Sequence, residues 1–176
     1  MQGKNRIRQL VTMAALAAVS IVLVFFIHFP IFPAVPFLEY DPADISILLG
    51  TFLFGPLSGF LMTVVVSVIQ GLTVSASSSV YGILMHIIAT SAYVLCAGLI
   101  YRFHRTRKGA VVALLIGICA MALVMIPANL LITPLFTGEA VTDLLGFIVL
   151  FNVIKAGING IVTFIIYKPL KRVLKI

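Results

Sequence analysis

Of 176 residues, 62% are hydrophobic and only 10% charged, with a mean hydropathy of +1.23. A soluble domain must present a polar exterior to water, so this composition excludes one and leaves an integral membrane protein with several spans. The net charge of +7 is not a nucleic-acid signature, because the basic residues cluster beside the ends of apolar spans and not along one face.

The first predicted helix covers residues 7–29, with Lys4, Arg6 and Arg8 clustered about its start. Its apolar run is too long for a signal-peptide core and no cleavage site follows, so it is expected to be retained. Within it, Ala14 and Ala18 form a small-xxx-small pair that lets another helix approach closely, either from the same bundle or from a partner subunit. Residues 29–40 then carry Pro30, Pro33 and Pro36 among apolar neighbours. A stiff segment that is too apolar to float in water reads as a lid over a site.

Residues 42–72 form either one helix kinked at Gly55-Pro56 or two helices meeting there. Charge placement favours two. With two, the N-terminal bases, the Arg102–Lys108 cluster and the tail of Lys168, Lys171, Arg172 and Lys175 all fall on one side. Glu39, Asp41, Asp44, Glu139 and Asp143 then fall on the other. Under the positive-inside rule both termini are cytoplasmic. Asp41-Pro42-Ala43-Asp44 reads as a helix start, with Asp41 as N-cap and Asp44 at the third position, and Glu39 as an exposed acid. Residues 42–54 extend about 20 Å at roughly 1.5 Å each, short of a ~30 Å hydrocarbon core, so this helix is expected to pack inside the bundle.

Gln70, Thr73, Ser75 and Ser77 gather at the outer end of the third span. The fourth span, 79–101, contains His86, read as either a bonded core histidine or a ligand contact. The fifth, 109–132, contains Asn129 just after Pro127 and is expected to break at Thr133-Pro134. Asn129 either faces a cavity or satisfies backbone that Pro127 disrupts. Cys96 and Cys119 read as small buried residues, and no histidine pair has metal spacing, so no metal site is expected.

The sixth span, 144–167, carries Lys155, the one of twelve Lys and Arg residues inside an apolar span. A lysine near the bilayer centre costs about 2.5–3.5 kcal/mol on insertion scales and is usually kept for function. Asn152, Lys155 and Asn159 share one helical face, which cannot look at lipid. Lys155 and Asn152 read as ligand contacts, Asn159 as helix packing. The fold class is therefore an all-α integral membrane protein, a six-transmembrane-helix bundle forming a single domain over 1–176. Enzymatic activity is not expected, because no nucleophile is paired with a base, and no Gly-Lys-Ser/Thr phosphate loop is present to power pumping.

Several stretches carry a resemblance. They are Phe29-Pro30-Ile31, the run from Leu38 through Tyr40 to Asp44, the run from Gly50 through Gly55-Pro56 to Gly59, Asn129 through Leu135, and Phe151-Asn152-Val153-Ile154-Lys155-Ala156-Gly157. In this order the chain resembles the substrate-binding S component of energy-coupling factor (ECF) vitamin transporters, of the riboflavin type. It departs in the fourth span, where that type carries Asn-Phe-small-Ala-Gly and this chain has His86 near the place of the Asn. The resemblance implies a binding subunit in a bacterial plasma membrane. It would work with a transmembrane coupling subunit, met by Ala14 and Ala18, and two cytoplasmic ATPases. Riboflavin would be a transported ligand and not a cofactor, with polar contacts from Asn129, Asn152 and Lys155 and with Leu38 and neighbouring Tyr40 covering the ring. Gln70 and His86 complete the candidate set. The rivals are another vitamin on the same fold and a stand-alone secondary transporter, for which the inverted repeats are missing.

Overall fold

The computed structural model describes residues 2–75, 79–138 and 140–174, without the side chains of 2–5 and 79. Ser77, Glu139 and Lys175, and the Lys4 side chain, lie outside what is described. Six helices follow in chain order: α1 Gln2–Phe26, α2 Ala43–Phe54, α3 Pro56–Leu72, α4 Ser79–Phe103, α5 Arg107–Thr137 and α6 Leu145–Leu174. Four of them are long and apolar enough to cross a membrane, and α2 and α3 are shorter. The Arg8 guanidinium bonds to the Leu174 carbonyl, so both described ends of the chain lie on one face of the bundle.

The division between α2 and α3 is made by one residue. Gly55 sits at φ 104°, where a side chain would be strained, and donates its N–H to the Thr51 carbonyl at 2.8 Å. Pro56 then opens α3, where its missing N–H costs nothing. Close packing holds the junction: a Cβ on Gly59 would run into the Thr51 side chain, and one on Gly98 of α4 would meet Thr51 and Pro56.

Helix α2 is the centre of the bundle. Every residue from Ala43 to Phe52 is buried, and it packs against α1, α3, α4 and α6. Ser20 of α1 donates to the Ala43 carbonyl at 3.0 Å. At the chain-terminal face, the ring of Phe52 lies 4.4 Å from that of Tyr101, whose hydroxyl bonds that of Tyr167 at 3.1 Å. By contrast, among its described side chains α1 buries only Leu16, Ser20 and Val24, and leaves Ala14 and Ala18 exposed.

Several boundaries differ from expectation. The first helix ends at Phe26, and Phe29–Pro30 becomes strand β1, paired antiparallel with β2 at Glu39–Tyr40. The loop between them packs Val35 and Leu38 against Val141, Ile148 and Phe151, a small core separate from the main one. Helix α5 begins in the basic cluster itself, with Thr106 accepting from the Gly109 N–H at 2.9 Å. It does not break at Pro134 but runs to Thr137, ended by Gly138 at φ 76°. Within this stretch the Asn129 side chain donates to the Met125 carbonyl and the Thr137 hydroxyl to the Thr133 carbonyl. Cys119 is exposed, not buried, because the lipid-facing side of a membrane helix is as apolar as its core and hydrophobicity cannot distinguish them.

Candidate ligand site

A cavity of about 110 Å³ lies at the hairpin end of the bundle. Its lining is mixed: Phe37, Leu38, Met85, Met121, Met125 and Phe151 are apolar, while Asp41, Gln70, His86, Asn129, Asn152 and Lys155 are polar or charged. Helices α3 to α6 and the hairpin each contribute, so residues between 28 and 155 converge on one space.

The α6 stripe faces inward as its spacing required. Asn152, Lys155 and Asn159 are all buried. The Lys155 ammonium donates to Asp41 Oδ2 at 2.7 Å, a short charge-assisted bond. Among the described residues no second acceptor takes its other two N–H groups. Gln70 Nε2 reaches the same Asp41 oxygen at 3.3 Å, while Asp41 Oδ1 accepts from the Ala43 N–H at 3.1 Å. Asp41 is not the N-cap expected of it: α2 begins at Ala43 with Pro42 in that place, and the main partner of Asp41 is Lys155. Asp44 does more than stand in the first turn: it is fully buried, with Oδ1 accepting from the Thr90 hydroxyl at 2.7 Å and Oδ2 from Asn159 Nδ2 at 3.3 Å. A lysine in an apolar span requires a counter-charge, and the acids at 41 and 44, three apart at a helix start, were the available candidates. Glu39, taken as exposed, is half-buried and lines the cavity.

His86 bridges the polar floor. The Ser67 hydroxyl donates to the Thr63 carbonyl at 2.6 Å, so its oxygen is left to accept from His86 Nδ1 at 3.1 Å. Nε2 then lies 3.4 Å from Asp44 Oδ1, within ion-pair distance. Asn129 Nδ2 bonds the Met125 carbonyl at 2.8 Å and its Oδ1 accepts from Thr133 at 3.0 Å. Of the two roles left open for it, Asn129 therefore takes the first, lining the cavity; the carbonyl that Pro127 deprives of a donor is that of Leu123, which Asn129 does not reach. Asn152 Nδ2 similarly bonds the Ile148 carbonyl at 2.8 Å.

Leu38, Gln70, His86, Asn129, Asn152 and Lys155 are brought together at the cavity. Tyr40 is not among its lining residues. It is buried, and its hydroxyl donates to Asn159 Oδ1 at 3.0 Å, because the strand pairing turns its ring toward α6 and Phe29. Burial, reinforced by the Asp41 carboxylate, pushes the Tyr40 phenol up, which keeps it a donor. Ala14 and Ala18 lie on the exposed face of α1, apart from the cavity. The sulfur-rich wall of Met85, Met121 and Met125 was not anticipated, since a methionine in an apolar helix reads like any other core residue.

Comparison with known proteins bears on the family and the fold. A sequence model described as the substrate-specific component of ECF transporters matches residues 8–167. The chain is 27% identical over 147 residues to the riboflavin transporter FmnP of Bacillus subtilis, covering 77% of each. It is 28% identical over 150 residues to the riboflavin transporter RibU of Staphylococcus aureus, covering 80% of this chain and 78% of the other. A solved S component of a bacterial ECF transporter superposes over 100% of both chains with a TM-score of 0.86 and 31% identity. A six-helix membrane bundle with its polar cavity at one end, matched over nearly its whole length, belongs to the substrate-specific component family of ECF transporters.

Proposed function

We propose that this chain is the cargo-capturing subunit of an ECF importer in a bacterial plasma membrane, and that its cargo is riboflavin or a closely related flavin. The observation that carries this reading is the mixed lining of the cavity, where the apolar Leu38, Met125 and Phe151 accompany the polar Asn129, Asn152 and Lys155. A flat apolar ring with a rim of carbonyl and imide groups needs such a slot, with a few directed donors and acceptors. The relatives named as riboflavin transporters support the same cargo.

The whole of 1–176 acts as one domain with both termini cytoplasmic, so the hairpin end of the cavity faces outside. Ala14 and Ala18, exposed on α1, dock the transmembrane coupling subunit, which in turn carries two cytoplasmic ATPases. The cavity of about 110 Å³ is smaller than the roughly 300 Å³ at which small-molecule sites begin. Entry of a flavin therefore widens it, and segment 31–38, held by its own small core, is the wall that yields. Titrating the purified protein with riboflavin is expected to quench flavin fluorescence at micromolar ligand. No quenching would remove riboflavin as the cargo and leave another heterocycle, a reading that His86 in the polar wall favours.

A further inference from the structure

Four hydrogen bonds converge on two consecutive residues at the root of the hairpin. Lys155 and Gln70 donate to the Asp41 carboxylate, Asn159 donates to the Asp41 backbone carbonyl at 3.1 Å, and Tyr40 donates to Asn159. Lys155 and Asn159 are one turn apart on α6, so a single helix face grips the end of β2 at two points. The same β2 pairs with β1 and carries the loop whose Phe37, Leu38 and Glu39 line the cavity. The cation that faces the ligand is thus also the cation that seats the wall above it.

We infer that Asp41 is a positioning residue that couples ligand capture at Lys155 to seating of the 29–40 hairpin. The inference rests on the reading of Lys155 as a ligand contact. Asp41 takes one of the three N–H groups of Lys155 and fixes the direction of the others. Those two are presented to the cavity, where a carbonyl oxygen of an uncharged ligand can accept them. Because the carboxylate already neutralises the ammonium, the site offers directed donors without a net positive charge. A ligand that engages Lys155 is then held by a group anchored to the hairpin root, and the hairpin closes down on an occupied cavity more firmly than on an empty one.

The test uses the full chain in lipid nanodiscs and two readouts. In the first, without vitamin, backbone amide hydrogen exchange is followed over 31–40, where the Val35 and Leu38 N–H groups are bonded within the loop. Asp41→Asn is expected to speed this exchange about tenfold, and Asp41→Glu to restore most of the protection. In the second, added riboflavin is expected to slow exchange over 31–40 in the native chain and to lose that effect in Asp41→Asn. Its affinity for riboflavin should fall about tenfold, with no further loss when Lys155→Met is added. Tyr40→Phe, which removes only the hydroxyl bond to Asn159, supplies a milder version if Asp41→Asn does not fold, and is expected to speed exchange over the same segment. Unchanged exchange in both Asp41→Asn and Tyr40→Phe, or losses from Asp41→Asn and Lys155→Met that simply add, would overturn the coupling. The first readout contains no ligand, so it decides the hairpin tether even if the native chain fails to bind riboflavin, an outcome that would count against the cargo alone.

Discussion

Helices α1 and α2 are neighbours in sequence and opposite in character. The longer, α1, lies at the edge of the bundle with most of its apolar side chains exposed. The shorter, α2, is buried from Ala43 to Phe52 against four other helices. Yet the buried helix carries the polar work, with Asp41 just before it, Asp44, Ser46 and Thr51 all buried, while the exposed one presents Val11, Val22 and Phe25. This inverts the soluble-protein pattern. Lipid is as apolar as a core, so what selects the inside of a membrane bundle is polar satisfaction and close small-residue contact.

The comparison can be broken most severely at the charge pair. Lys155→Met leaves Asp41 buried without its counterion, and about 3–5 kcal/mol of stability is expected to go with it. Thermal unfolding in detergent would read this, alongside at least about tenfold weaker ligand binding. The double variant Lys155→Met with Asp41→Asn removes both charges and is expected to recover much of the stability but none of the affinity. A double variant as unstable as Lys155→Met alone would show that charge compensation is not what holds the centre.

Packing at α2 comes next. A side chain on Gly59 would occupy the space of the Thr51 hydroxyl, so Gly59→Val is expected to cost about 1–3 kcal/mol by forcing α3 away from α2. An unshifted melting temperature would mean the two helices have slack between them. Tyr40→Phe should cost about 1 kcal/mol, the net worth of one buried hydrogen bond.

The smallest effect on the fold sharpens the comparison from the α1 side. Ala14→Leu with Ala18→Leu adds bulk to an exposed face, and stability and ligand binding are expected to change by no more than about 0.5 kcal/mol. Vitamin uptake by cells expressing the whole transporter is nonetheless expected to be lost. Normal uptake would remove the docking role of this face.

How far the site could be read from the chain differed residue by residue. Lys155 announced itself, because a cation in an apolar span has few explanations, and its face fixed the inward direction of Asn152 and Asn159. Gln70, His86 and Asn129 were legible as isolated polar residues in apolar helices, and all three reach the cavity. Asp41 and Asp44 were visible but assigned to local capping, since a helix start accounts for acids without reference to anything 114 residues away. Tyr40 was placed with Leu38 on the ligand, whereas in the two-residue strand neighbouring side chains point to opposite sides, so Glu39 lines the cavity and Tyr40 turns away from it to Asn159.

Local chemistry along the chain was sufficient for the class of protein, the number of helices and the division at Gly55-Pro56, because each depends on hydrophobic run length, charge placement or backbone freedom at a single residue. The partner of Lys155, the burial of α2 and the cavity of mixed lining were decided only in three dimensions. Hydropathy reports that a residue sits within the membrane but is blind to which neighbour it faces, and a buried charge takes its partner from whichever helix the packing brings within reach.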